Sequence, residues 1–243
     1  MNKHAGWFWK GARLASGLCV VLLLAACGST ARVGQLRTES QSVELGDANA
    51  VSVEITMGAG ELGVTGGAEK LLEADFTYNV ADLKPQVEYT GGTLVVKQPE
   101  VEGLPVLQGI TDFRNQWDLR LHDGTPMNLK VDLGAGTSDL QLAGLSLTGL
   151  DISQGAGRGS VDLSGDWAHD LQGTIDVGAA GLTVRLPRDV GVRVEANTGV
   201  GTINAPGLTK DGNVYTNAAY GVSDVTLRLN IAAGVGRVDL EVG

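Results

Sequence analysis

Apolar and polar residues alternate in short arms along this chain, and the alternation breaks at the same kind of place six times. The breaks are Gly58-Ala-Gly60, Gly134-Ala-Gly136, Gly155-Ala-Gly157, Gly178-Ala-Ala-Gly181, Gly199-Val-Gly201 and Gly234-Val-Gly236. Three residues before each turn stands an apolar residue (Ile55, Val131, Ile152, Ile175, Ala196, Ile231), and five before it another in all but one case. Polar residues such as Glu54, Lys130 and Asp151 lie between them. A period of two with one apolar face predicts strands buried on one side. The first glycines of the four middle turns follow at intervals of 21, 23 and 21 residues, the spacing of a stacked repeat. The chain therefore reads as all-β: a Gly-rich repeat β-solenoid, β-helix-like, preceded by a small N-terminal β unit.

The N-terminal unit covers residues 42–115. Val43–Leu45 and Val51–Ile55 alternate as strands, and Gly58–Gly60 turns the chain into Leu62-Gly63-Val64. Lys70–Asn79 has a helical composition, but the alternation of Leu72, Ala74, Phe76 and Tyr78 predicts a strand. Val87–Tyr89 and Leu94–Lys97 form a hairpin across Thr90-Gly91-Gly92. Residues 100–115, broken by Pro105 and Gly109, show no period and are expected to be a linker or flexible loop. Residues 116–243 then carry the solenoid, starting at Trp117-Asp-Leu-Arg-Leu121. One interval departs from the rhythm. From Gly199 to Gly234 is 35 residues, and the excess, which includes Pro206-Gly207, Tyr215 and Tyr220, is expected as a loop inserted on one face and as the first place to look for binding. The last strand, Arg237–Gly243, has no evident cap. It is expected to leave an open edge for self-association or a partner, unless Arg237, Asp239 and Glu241 block pairing.

The N-terminus adds an address. Lys3, Lys10 and Arg13 form a positive region without an acid, and the apolar run from Leu14 to Ala26 is too short to span a bilayer. Leu24-Ala25-Ala26-Cys27 resembles the lipobox of bacterial lipoproteins, which implies that residues 1–26 are a signal peptide and that Cys27 becomes the lipidated first residue. Residues 27–41, polar and without a period, are expected to be a flexible tether. The chain would then be extracytoplasmic, anchored by lipid at Cys27 to the cell membrane or outer membrane. Cys19 leaves with the signal, so no disulfide remains to staple the fold. Removal of the signal also takes three basic residues and no acid, so the net charge moves from −10 to −13. An acidic surface without Lys/Arg clusters excludes nucleic acid as a partner.

Candidate chemistry is sparse. Gly58-Ala-Gly-Glu-Leu-Gly63 spells a dinucleotide motif, but a strand–turn–strand context lacks the helix that holds a pyrophosphate. Asp132, Ser153, Asp176 and Asn197 stand two positions before their turns and would form a ladder in a stack; alternate acids about 10 Å apart cannot share one calcium ion. His122 and His169 lack companions at metal-ligand spacing, and no Gly-x-Ser-x-Gly elbow occurs. Arg158 and Arg237 follow two turns and Arg185 and Arg193 lie near others, on rungs that are not all adjacent; a polysaccharide lyase would need them gathered with acids on one face. No catalytic, cofactor or metal residue is assigned. Trp117 is expected to cap the first rung of the array, whereas Trp167, Tyr215 and Tyr220 are the candidate recognition surface.

Several ordered blocks carry a family resemblance. Val53-Glu-Ile-Thr-Met-Gly-Ala-Gly-Glu-Leu-Gly-Val64, Leu71–Asn79 and Lys84–Tyr89 resemble the N-terminal segment of the toast-rack family of bacterial envelope proteins. Trp117–Leu121, Pro126 and Leu129–Gly136 look like the same family, and the last rungs are similar to the C-terminal domain of LiaF-like proteins, a group associated with responses to cell-wall-active antibiotics. The resemblance covers nearly all of Val43–Val242 and implies a non-enzymatic envelope interaction module, acting in the cell-wall stress response through an envelope protein. A surface adhesin or cell-wall glycan-binding protein is the alternative, and a β-solenoid polysaccharide lyase a more distant one. LiaF-like proteins carry transmembrane helices, for which a lipid anchor at Cys27 would here substitute.

Overall fold

A computed structural model describes residues 33–100 and 112–243. Cys27, the signal and most of the 100–115 linker lie outside the described residues. The strands run in chain order β1 (Arg37–Val43), β2 (Val51–Thr65), β3 (Leu72–Tyr78), β4 (Gln86–Thr90), β5 (Thr93–Lys97), β6 (Asn115–Leu121), β7 (Met127–Gln141), β8 (Leu147–Asp162), β9 (Leu171–Leu186), β10 (Gly191–Asn204), β11 (Thr209–Asp211), β12 (Val214–Thr216) and β13 (Thr226–Val242). One 3-10 turn, Ala81–Leu83, is the only helical element among the described residues. The protein is all-β, with a large, mostly parallel sheet in the spatial order β1-β3-β6-β2-β7-β8-β9-β13-β10-β12-β11, and β5 and β4 attached along β2.

The long strands cannot be straight. β7 and β8 pair in parallel from Leu129↔Leu150 to Gln141↔Asp162, yet only residues 142–146 join the end of one to the start of the next. A straight strand of 15 residues spans about 50 Å, far beyond the reach of that link at about 3.5 Å per residue. Each long strand therefore doubles back at its glycine turn into two arms, and the chain returns in register in a solenoid-like coil. The alternation puts Met127, Leu129, Val131 and Leu133 of the first arm and Leu140 of the second into one continuous core, shared with their counterparts on every rung.

The glycines are dictated by the backbone that lies next to them. A Cβ on Gly136 would fall inside the carbonyl oxygen of Gly60, one on Gly157 inside that of Gly136, and one on Gly201 inside that of Gly236. A second column repeats this across Gly58, Gly134, Gly155, Gly178, Gly234 and Gly199. Gly136 is also at φ 144°, which disfavours side chains independently. β9 has Ala180 in this register and no positive-φ glycine in its turn.

Four sequence expectations change. First, β13 does not stack beyond β10 but lies between β9 and β10, pairing Ile231 with both Ile175 and Ala196. The C-terminal strand is thus interior through Asp239, and only Leu240–Val242 have a neighbour, β9, on one side alone among the described residues. Its entry is fastened by Asp170, which accepts the Thr226 amide at 2.9 Å and pairs with Arg228 at 2.8 Å. These two bonds hold its carboxyl below the ordinary carboxylate pKa. Second, the excess between Gly199 and Gly234 is not a loop on one face. It builds the β11–β12 hairpin against β10, then carries the chain back over. Buried Asn217 secures the crossover: Nδ2 donates to the carbonyls of Pro187, Arg188 and Val190, and Oδ1 accepts the Val192 amide at 3.0 Å. Third, order begins before residue 42, because β1 pairs with β3 from Arg37↔Tyr78 onward; residues 37–41 are strand rather than tether. Fourth, β2 is itself a rung, in register with β7, and Asn115 opens β6 between β2 and β3, so no boundary separates residues 42–115 from 116–243. The strand at 72–78 and the 86–97 hairpin form as the alternation requires.

Candidate functional site

The second arms present a groove of about 620 Å³ on their outer face, across β7, β8, β9 and β13. Parallel registry lines up its residues in rows. Thr137 pairs with Arg158, and Arg158 with Gly181; the register that joins Val235 to Ala179 and Val238 to Leu182 places Arg237 on the other side of Gly181. The next outward-facing row holds Asp139, Ser160, Thr183 and Asp239. Arg237 Nε donates to Asp239 Oδ1 at 3.0 Å, and Asn204 bonds the same carboxylate at 3.0 Å. Arg185 lies 3.7 Å from Asp162 and 3.5 Å from Glu241. Among the described residues no acid lies within ion-pair distance of Arg158. A Cβ on Gly181 would have no heavy atom within 4 Å, so the row has an open place between two arginine strands.

A second groove, of about 720 Å³, follows the glycine column on the first arms. Its rim carries the ladder foreseen from the sequence in the order Thr56, Asp132, Ser153, Asp176, Ala232, and Asn197 follows on β10 beyond the groove. Ala232, brought in by β13, separates Asp176 from Asn197. Among the described residues no group of three or more His, Cys, Asp or Glu is placed to hold a metal ion. His122 Nδ1 stands 3.0 Å from Thr125 Oγ1, and Gly58–Gly63 runs through strand β2, with no helix after it.

The three candidate recognition aromatics are not brought together. Tyr215 is 4% exposed, because alternation within β12 turns it into the core while Val214 and Thr216 face outward, so it is not a surface residue. Trp167 is half-buried against the core, and its indole N–H donates to Leu163 O at 2.9 Å. Tyr220 is exposed, in the turn after Asn217. β13 and β10 lie between β9, which follows Trp167, and β12, which carries Tyr215. Trp117 is fully buried between β3 and β2, edge-on to Phe76 at 5.4 Å, with Nε1 donating to Asn115 Oδ1 at 2.9 Å. Sequence reasoning overlooked the buried amides Asn115, Gln154 and Asn217. Only Gln154 left a signal: it fills the slot before its turn that Met57, Leu133, Val177 and Ala233 fill with apolar side chains.

The family model for the N-terminal domain of toast_rack matches residues 32–185. Among solved structures, the chain is similar to a candidate cell adhesion protein from Clostridium sporogenes, 31% identical, with a TM-score of 0.83, covering 86% of this chain and 100% of that one. A candidate adhesin from Bacteroides fragilis is 10% identical at a TM-score of 0.34, covering 85% of this chain and 97% of that one. A candidate lipid binding protein from Parabacteroides distasonis is 9% identical at a TM-score of 0.28, with the same two coverages. No curated protein matches the sequence.

Proposed function

We propose that this chain, which belongs to the toast-rack family, is a non-enzymatic adhesion module of the bacterial envelope, held outside the cytoplasm by a lipid on Cys27. The observation that carries the reading is the likeness to the candidate cell adhesion protein of Clostridium sporogenes, which extends over the whole of that chain at 31% identity. The physical character of the molecule supports it. A β-solenoid of stacked, doubled-back strands keeps its apolar residues and glycine columns inside and leaves an extended surface of outward side chains for binding. Outward residues on successive rungs form extended grooves suited to chain-like ligands. In a second reading, which rests only on the resemblance read from the sequence of the last rungs, the same module meets a membrane sensor in the cell-wall stress response.

The test is attachment by cells. Cells making the full chain are expected to bind their surface or host matrix, and Cys27→Ser to release the protein into the medium and reduce attachment at least tenfold. Unchanged attachment by cells lacking the protein would overturn the adhesion reading. In-cell crosslinking that captures one membrane sensor, without any attachment phenotype, would establish the second.

A further inference from the structure

The insertion of β13 between β9 and β10 has a chemical result that the order of the sequence conceals. Arg158 and Arg237 are far apart along the chain, yet they flank one residue, Gly181, on the exposed outer face of the second arms. Their backbones are two strand spacings apart, about 10 Å, a gap that two long side chains can close on a common group. Arg158 has no acidic partner among the described residues. Arg237 engages Asp239 through Nε, and one such bond does not exhaust the five donors of a guanidinium. Between them, Gly181 removes the side chain that would otherwise fill the place.

The geometry points to a binding site for an acidic, carboxylate-bearing polysaccharide in this groove, with a sugar carboxylate seated over Gly181 between Arg158 and Arg237. Guanidinium groups bind carboxylates through paired, charge-assisted hydrogen bonds, which fixes the class of ion. The surroundings fix the rest of the ligand. Ser160, Thr183 and Asp139 offer hydroxyl and carboxylate groups in the neighbouring row, where a sugar's hydroxyls would lie. The groove crosses four strands, about 15 Å, longer than one sugar needs and suited to a chain. The protein as a whole carries a net charge of −10 and repels polyanions at long range, so retention of an acidic polymer reports local recognition rather than charge attraction. The site deepens the adhesion reading by naming a ligand class, and rests on that reading only for its biological setting.

The test is titration of the full chain, purified in detergent, with oligogalacturonate and with a neutral oligosaccharide of equal length. The acidic oligomer is expected to bind and the neutral one not. Arg158→Ser should weaken binding by about 10- to 100-fold, the worth of a charge-assisted contact. Gly181→Leu should weaken it at least as much, while leaving the melting temperature unchanged because its side chain enters open space. Equal affinity for the neutral oligomer, no binding of the acidic one, or unchanged affinity in both variants would overturn the site. Attachment by cells with no oligogalacturonate binding in vitro would sink the site and leave the adhesion reading standing; binding in vitro without attachment would do the reverse.

Discussion

The first and last turns of the glycine stack face the same problem and solve it differently. At the β2 end, Gln98 Oε1 accepts the amides of Gly58 and Ala59 at 3.1 and 3.5 Å. Asn115 Nδ2 donates to Ala59 O at 2.7 Å and to Gln98 at 2.9 Å, and its Oδ1 takes the indole N–H of Trp117. Strands β5 and β6 continue the pairing on the first and second arms respectively. At the β10 end, the β11–β12 hairpin pairs with Arg193–Glu195, and its last bonds along β10 are Ala196 N to Asn213 O and Asn213 Nδ2 to Asn197 Oδ1. From Thr198 to Asn204 the strand has a neighbour on one side alone among the described residues; Val200 is 69% exposed, and buried Thr198 Oγ1 has no partner. An interior turn is completed by the next rung. An end turn has no next rung, and side-chain amides complete one end while the other stays half bare. The bare stretch, Thr198-Gly-Val-Gly-Thr-Ile-Asn204, also lacks the charges that commonly blunt a strand edge. The longer open edge is therefore on β10, beside the short one that Leu240–Val242 keep at the C-terminus.

The largest effect separates the two glycine columns, because the positive-φ column stays fully confined up to Gly201 at the β10 end, whose Cβ would fall inside Gly236 O. Gly136→Val in the middle of the stack combines a positive φ with a Cβ that would overlap the Gly60 carbonyl, so neither rotation nor a side-chain shift relieves it. It is expected to cost more than about 4 kcal/mol and to abolish folding in a thermal melt. Gly199→Ala at the bare end meets only Gly234 O, at 2.8 Å and without a positive φ, and should keep a cooperative transition. Equal loss for the two would mean that the first-glycine column is as confined as the positive-φ column that runs from Gly136 to Gly201.

A middle-sized effect tests the amide seal. Asn115→Ala leaves Ala59 O and Trp117 Nε1 without their partners in a buried setting and should destabilise by about 3 kcal/mol in denaturant titration. Thr198→Val at the opposite end removes a hydroxyl that has no partner and should be neutral or stabilising by up to about 1 kcal/mol. If Asn115→Ala proves as mild as Thr198→Val, the seal contributes nothing and the two ends are energetically alike.

What the sequence disclosed follows from which interactions are local. Alternation and glycine turns belong to single arms, so Leu129, Val131 and Gly136 could be placed without knowing any neighbour. The order of rungs could not, because each presents an equivalent apolar face: Gly234 stacks as well on Gly178 as Gly199 would, and only the 35-residue interval hinted at a detour. That one ambiguity hid the Arg158–Gly181–Arg237 row and the longer open edge on β10. Tyr215 was misread for a related reason. Its three-residue strand is too short to show a period, so the face it buries is decided by pairing with β10. Gln154 and Thr198 were legible as polar residues in an apolar slot. Their fates differ because Gln154 reaches Ser138 Oγ and the carbonyls of Gly136 and Arg158, whereas Thr198 has no rung beyond it.

The smallest effect is confined to the sealed end and appears only in alkali. Tyr78 on β3 is buried, and its hydroxyl donates to Glu39 at 2.7 Å. Burial first, and then the bond to a carboxylate, push the phenol up to about 12 from its ordinary value near 10. The fold thus prefers the neutral phenol. Its contribution is whole below about pH 10 and is lost as pH rises from there toward about 12, because the unfolded chain ionises first. Glu39 behaves in the opposite sense: its bonds to Lys84 and Tyr78 hold its carboxyl below the ordinary value, so its share is lost in acid. In Tyr78→Phe, the Glu39–Lys84 pair at 2.6 Å remains and only the phenol's titration disappears. Urea unfolding across about pH 10 to 12 should therefore show a shallower decline for the variant than for the native chain. Parallel declines would place the alkaline sensitivity elsewhere and remove the sealed end's claim to it.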